Sequence, residues 1–169
     1  MKNSGFSLIE LIVVVGILGI LLAIAGISGR EWMERYRVEG QTKELYADLM
    51  NARVSALQRS RMFFVKLAAN QYAIYEDTYN AGTPASPEGD GSQTANDRLV
   101  LQKTIQYALT ASPIDISTTN VIFSTSGLAS PDGTTIRFTS TANPLSDCIA
   151  LSTTRILMGK YNGTTCNPQ

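Results

Sequence analysis

Apolar and polar positions divide the chain into three stretches. From Leu11 to Gly29 runs LIVVVGILGILLAIAGISG, without a charge. Counted from Phe6 the run has 24 residues and one charge, Glu10. About 20 apolar residues suffice to cross a hydrocarbon core, so 6–29 is predicted to be a transmembrane helix. Charges then enter in REWMERYR, together with Trp32 and Tyr36. Leu45, Leu49, Ala52 and Ala56 follow i, i+4, i+7, i+11, an apolar stripe at helical period. Glu31–Arg35 and Glu39–Lys43 are i, i+4 pairs in the favourable order. No proline precedes Pro84. Phe6 to about Ser60 therefore reads as one helix, about 80 Å long at 1.5 Å per residue, with 30–61 as an amphipathic continuation that packs on a head.

Beyond Arg61 the period becomes two. MFFVKLAANQYAIYED predicts two strands around a turn at Ala69–Asn70. Residues 78–98 are polar and rich in Gly, Pro and Ser, a long loop. LVLQKTIQY, VIFSTSG, TTIRFTS, CIALS and TRILMGK predict up to five more short strands, with SPDG (130–133) as a tight turn between two of them. The fold class is α+β: a long N-terminal helix on a mostly antiparallel β head over 62–169.

Composition narrows the chemistry. Lys plus Arg and Asp plus Glu both number 14, so net charge does not argue for nucleic acid. There is no His, which removes the usual general base and the commonest metal ligand. The apolar run is longer than that of a secretory signal and lacks a small-residue cleavage site; a plain signal anchor stays open on hydropathy alone. Glu10 bears on that choice. An ionised acid at membrane depth costs on the order of 3 kcal/mol. A cut after Gly5 would give Phe6 a free amine four residues before Glu10, and between staggered neighbouring helices the two charges could meet.

KNSGFSLIELIVVVGILGILLAIA resembles the signal and first helix of type IV pilins and type II secretion pseudopilins. Lys2, Gly5, Phe6 and Glu10 stand at the basic, Gly, Phe and Glu places of that pattern. The resemblance implies a leader over 1–5, cleavage between Gly5 and Phe6 by a prepilin peptidase, and N-methylation of Phe6. It also implies that Glu10 pairs with the Phe6 amine of an adjacent subunit. Where many pilins carry Pro, this chain has Ile27.

The rest carries a second resemblance, to H-type minor pseudopilins and the FimT-like and FimU-like minor pilins. Ala52, Arg53, Ala56 and Arg59 match one part of their pattern, and Phe123, Gly127, Gly133 and Phe138 another. This implies the pilin lollipop and a structural minor subunit, assembled into a type II secretion pseudopilus or type IV pilus in an initiation or tip complex. Implied partners are other pilin or pseudopilin subunits, the peptidase, an inner-membrane assembly platform and membrane lipid. The implied location is the bacterial inner membrane, single-pass, with the head in the periplasm. A major pilin, or a minor pilin that binds DNA for uptake, is the alternative.

Other chemistry weighs less. Asp77, Glu88, Asp90 and Asp97 lie in or beside the loop, and some pseudopilins bind calcium in a loop. The spacing matches no EF-hand, and the acids read as well as a solvated loop; no metal or other cofactor is expected. Arg53, Arg59, Arg61 and Lys66 occur with no acid between Asp48 and Glu76, a candidate for phosphate contact. Against it, residues 62–169 hold six Lys or Arg and eight Asp or Glu, a difference of −2. Asn162–Gly163–Thr164 has sequon form, which carries little weight in a bacterial export route. Without His no Ser or Thr has its usual activator, so an enzyme is not expected. Cys148 and Cys166 are the only cysteines; in an exported domain they suggest one disulfide, fastening a strand-poor C-terminal segment.

Overall fold

The computed structural model describes residues 7–78 and 91–169, and the side chains of these except 24–30. Helix α1 spans Leu8–Arg59, 52 residues without a break. It ends at Ser60, whose left-handed backbone turns the chain and whose N–H bonds the Ala56 carbonyl.

The described head contains two five-stranded antiparallel sheets. The first is formed by β1 (Phe63–Ala68), β2 (Gln71–Glu76), β3 (Arg98–Thr104), β5 (Val121–Phe123) and β6 (Ala129–Ser130), in the order β3-β2-β1-β5-β6. The second is formed by β4 (Leu109–Ser112), β7 (Thr134–Phe138), β8 (Cys148–Leu151), β9 (Ile156–Tyr161) and β10 (Cys166–Pro168), in the order β10-β9-β8-β7-β4. The β1–β2 hairpin pairs Ala68 with Gln71, so the turn is Ala69–Asn70 as the alternation predicts.

Two expectations need correction, on the strands and on one ion pair. β4, β6 and β10 are additional strands, and the segment read as strand-poor holds β10, paired with β9. SPDG is the expected tight turn between two strands, and it carries the chain from β6 in the first sheet to β7 in the second. Glu39 does not pair with Lys43; its Oε1 accepts the Leu145 N–H at 2.7 Å. The other expected pair, Glu31–Arg35, is formed.

The predicted stripe of Leu45, Leu49, Ala52 and Ala56 is buried, and Val38 extends it. Thr42 lies on the same line, fully buried, its hydroxyl donating to the Val38 carbonyl at 2.9 Å. That bond removes the cost of burying a hydroxyl. Against this stripe pack Phe63, Val65 and Leu67 of β1, Phe123 of β5, and Ile136, Phe138, Ile149 and Leu151 of the second sheet. Period-two alternation is clearest in β5 and β7, which bury every second residue in this core.

Polar contacts flank the stripe. Ser140 Oγ donates to Glu34 Oε1 at 2.7 Å. Lys103 Nζ reaches Glu44 at 2.7 Å and Asp48 at 2.8 Å. Tyr72 Oη donates to Asp48 at 2.6 Å, and Arg53 Nη1 donates to the Thr154 carbonyl at 2.8 Å. Burial first, then the Asp48 carboxylate, pushes the Tyr72 phenol well above its ordinary pKa. Burial draws Lys103 down, but its bonds to Asp48 and Glu44 outweigh that and leave it raised.

Cys148 and Cys166 are joined as a disulfide. The bridge ties β8 to β10 across β9, whose Gly159 pairs with Cys148 on one side and Pro168 on the other, and whose Tyr161 pairs with Cys166. A Cβ on Gly159 would lie 2.0 Å from the Asn167 carbonyl oxygen. Only a residue without a side chain lets the last strand approach this closely.

Candidate assembly site on the N-terminal helix

Ser7 takes an extended N-cap conformation, and its carbonyl accepts the Glu10 N–H at 3.1 Å and the Leu11 N–H at 3.2 Å. This opens α1 and places Glu10 in the first turn, where the unpaired N–H groups of a helix favour a negative charge. The Glu10 side chain is exposed, beside Leu11, Val14 and Val15, and has no ion-pair partner among the described residues. From Leu8 to Leu22 the large apolar side chains are exposed on every face. Among the described residues, therefore, a carboxylate stands at the end of an apolar rod and nothing covers either. Gly5 and Phe6 lie outside the described residues, as does the leader. Among the described residues no helix is long and apolar enough to cross a membrane; of the expected span 6–29, side chains are described only for 7–23.

The basic stretch does not stay together. Arg53 turns to Thr154. Lys66 stands exposed on β1. Arg59 and Arg61 meet at Glu76: Arg59 Nη1 lies 2.9 Å from Oε2 and Arg61 Nε 3.8 Å from Oε1. Arg98, from the start of β3, also binds this carboxylate, whose side chain is only 5 % exposed. The sequence search passed over Glu76 and Arg98. Three guanidiniums supply the charge and hydrogen bonds that allow a carboxylate to be buried here.

The loop acids also change meaning. Asp77 is fully buried and accepts the Gly91 N–H at 2.8 Å. Asp97 accepts the N–H of Thr94 at 2.6 Å and of Thr78 at 3.1 Å. These two acids close the base of the loop and are not solvated. Glu88 and Asp90 lie outside the described residues, and among those described no three His, Cys, Asp or Glu side chains gather as a metal site would require. Asn162 of the sequon uses its carbonyl oxygen to accept the Thr164 and Thr165 N–H groups at 2.9 and 2.8 Å, an Asx turn.

The two glycines of the second pattern close turns. Gly127, at φ 71°, forms the β5–β6 turn with its N–H on the Ser124 carbonyl. A Cβ there would meet the Leu57 side chain of α1 at 2.8 Å. Gly133 closes the crossover to β7, and Phe123 and Phe138 are buried in the core.

Comparison with known families resolves the reading. Residues 1–26 match the prokaryotic N-terminal methylation motif, and residues 41–154 match the type II transport protein GspH. The chain belongs to the GspH family. In fold the chain resembles the minor pseudopilin EpsH from the Type 2 Secretion System of Vibrio cholerae, with a TM-score of 0.53. The likeness covers 73 % of this chain and 97 % of that one at 13 % identity, so it speaks to fold alone. No curated protein matches the chain. The family makes the chain a GspH-type minor pseudopilin of the type II secretion system, a structural subunit and not an enzyme. Association with other pseudopilin subunits and membrane anchoring are implied by the same membership.

Proposed function

We propose that the chain is cut after Gly5, methylated on Phe6, and assembled through α1 into an initiation or tip complex of the secretion pseudopilus. The leader 1–5 is lost, 6–29 lies in the inner membrane and then the filament core, 30–61 carries the head, and 62–169 stands in the periplasm. Prepilin peptidase and an inner-membrane platform are the partners of these steps. The observation that carries the reading is one uninterrupted helix with two environments: a methylation-motif half that is exposed all round, and a half seated in the head. Glu10 supplies the charge for the freed Phe6 amine of a neighbour. In lipid or a filament core this pairing spares both groups the cost of isolated charge.

The experiment is mass spectrometry of the N-terminus from cells that make the secretion system, beside cross-linking of Glu10→Ala. The wild type should begin at N-methylated Phe6. Glu10→Ala should still enter the membrane, because it sheds a charge, yet cross-link less to neighbouring subunits. A retained Met1, or undiminished cross-linking in the variant, would overturn the respective step.

A further inference from the structure

Beyond residues 8–22, the three most exposed large hydrophobic side chains among those described are Leu145 at 73 %, Trp32 at 70 % and Tyr36 at 69 %. They line one groove, where α1 leaves the head, together with Arg35, Glu39 and Asn143. Trp32 and Tyr36 stack one turn apart, ring centroids 6.2 Å from each other. Met33 is about half exposed beside them.

Leu145 is held in that position. Glu39 accepts its N–H at 2.7 Å. Lys160 Nζ donates to the Pro144 carbonyl at 2.7 Å, and Ser140, at the loop's start, is tied to Glu34. A loop fixed at three points keeps a leucine in water that a free loop could turn inward.

Position along the helix says what covers this patch. The charge-free sequence ends at Gly29. At 1.5 Å per residue Trp32 lies about 4–5 Å past that point and Tyr36 about 10 Å past it. The polar layer on each side of a bilayer is roughly 5–8 Å deep, so the Trp32 backbone falls inside it and that of Tyr36 just beyond, its side chain tilted back toward the N-terminal end as helical side chains are. Trp and Tyr concentrate in that layer, where an apolar ring with one polar edge is satisfied. Arg30, Arg35 and Arg37 alternate with Glu31, Glu34 and Glu39, so the segment carries no net charge and its affinity for the layer rests on its aromatic and apolar side chains.

We propose that Trp32, Tyr36 and Leu145 form a membrane-interface foot: before assembly the underside of the head rests in the lipid headgroup layer, which sets the head's tilt and height. This rests on the membrane anchoring proposed above. Trp32 is the only tryptophan in the chain, so its fluorescence reports the site directly. Full-length chain would be reconstituted in vesicles of phosphatidylethanolamine and phosphatidylglycerol doped with a phosphatidylcholine brominated either near the headgroup or near the mid-chain. Emission should be blue-shifted and quenched more by the shallow bromines than by the deep ones. Leu145→Asp, at an exposed position, should reduce the quenching while the head's melting stays unchanged. Water-like emission that neither lipid quenches, in a chain that resists alkaline extraction from the vesicles, would overturn the foot and leave anchoring intact. Extraction by alkali would instead remove the anchoring. Blue emission that bromolipid leaves unquenched and dilution of protein in lipid turns red would assign the patch to another subunit, and the proposal would fail.

Discussion

The two halves of α1 share one backbone and oppose each other in burial. Over residues 8–22 apolar side chains cover every face and all are exposed. Over 38–56 Val38, Leu45, Leu49, Ala52 and Ala56 form one buried line under the sheets, with Val54 exposed to one side of it. Among the described residues the first half has no apolar partner, so its sequence answers to other molecules. The second half is the floor of the core, so its sequence answers to the head. One helix thus obeys two selection rules, and the halves should respond differently to the same substitution.

Leu45→Ala should cost about 2–5 kcal/mol, the range for emptying a leucine site in a core. Leu18→Ala should leave the melting of the head unchanged in detergent-solubilised full-length chain. A fall in melting temperature for Leu18→Ala would break the comparison. The disulfide makes the next largest difference. Removing a bridge across a loop of this size costs roughly 3 kcal/mol. Reduction should lower the melting temperature and open the segment after Gly159 to protease while the helix half outside the head is unaffected.

Gly159→Ala should act in the same region by another route. A Cβ 2.0 Å from backbone forces β10 outward, at about 1–3 kcal/mol, and should make the bridge more readily reduced; equal reduction rates would refute the close packing. The smallest effect is expected at Tyr72→Phe, about 1 kcal/mol for one hydrogen bond. Its pH dependence is more telling. Folded Tyr72 keeps its proton to a higher pH than the unfolded chain does, so its contribution is whole below about pH 10 and declines above it. Lys103, also raised, acts with the same sign. Wild-type stability should therefore fall faster than that of Tyr72→Phe on the alkaline side.

How much of this could be read from the chain follows from the range of each interaction. The helix stripe was legible because Leu45, Leu49, Ala52 and Ala56 repeat within one element. Thr42 broke the pattern as a polar residue, and only its bond to Val38 explains its burial. β1 and β2 were legible from alternation and a two-residue turn. β4, β6 and β10 are short or polar, and they are strands because of neighbours distant in sequence. Glu76 gathers Arg59 from the end of α1, Arg61 from the turn after it and Arg98 from the start of β3, and Leu145 shares a groove with Trp32 from far along the chain. Spacing carries no trace of either. Gly5, Phe6 and Glu10 were legible for a different reason: a peptidase and a neighbouring helix read them as a linear pattern.

The polar contacts between α1 and the head have a mechanical meaning. Glu34, Glu39, Glu44, Asp48, Arg53 and Arg59 each hold a group of the head, at intervals of four to six residues. Any pull on the N-terminal end of the helix travels along its axis, parallel to this row. The contacts are then loaded together, in shear, instead of one after another as in peeling. A subunit moved by its helix would carry its head as a rigid load, because detaching it requires the whole row to yield at once.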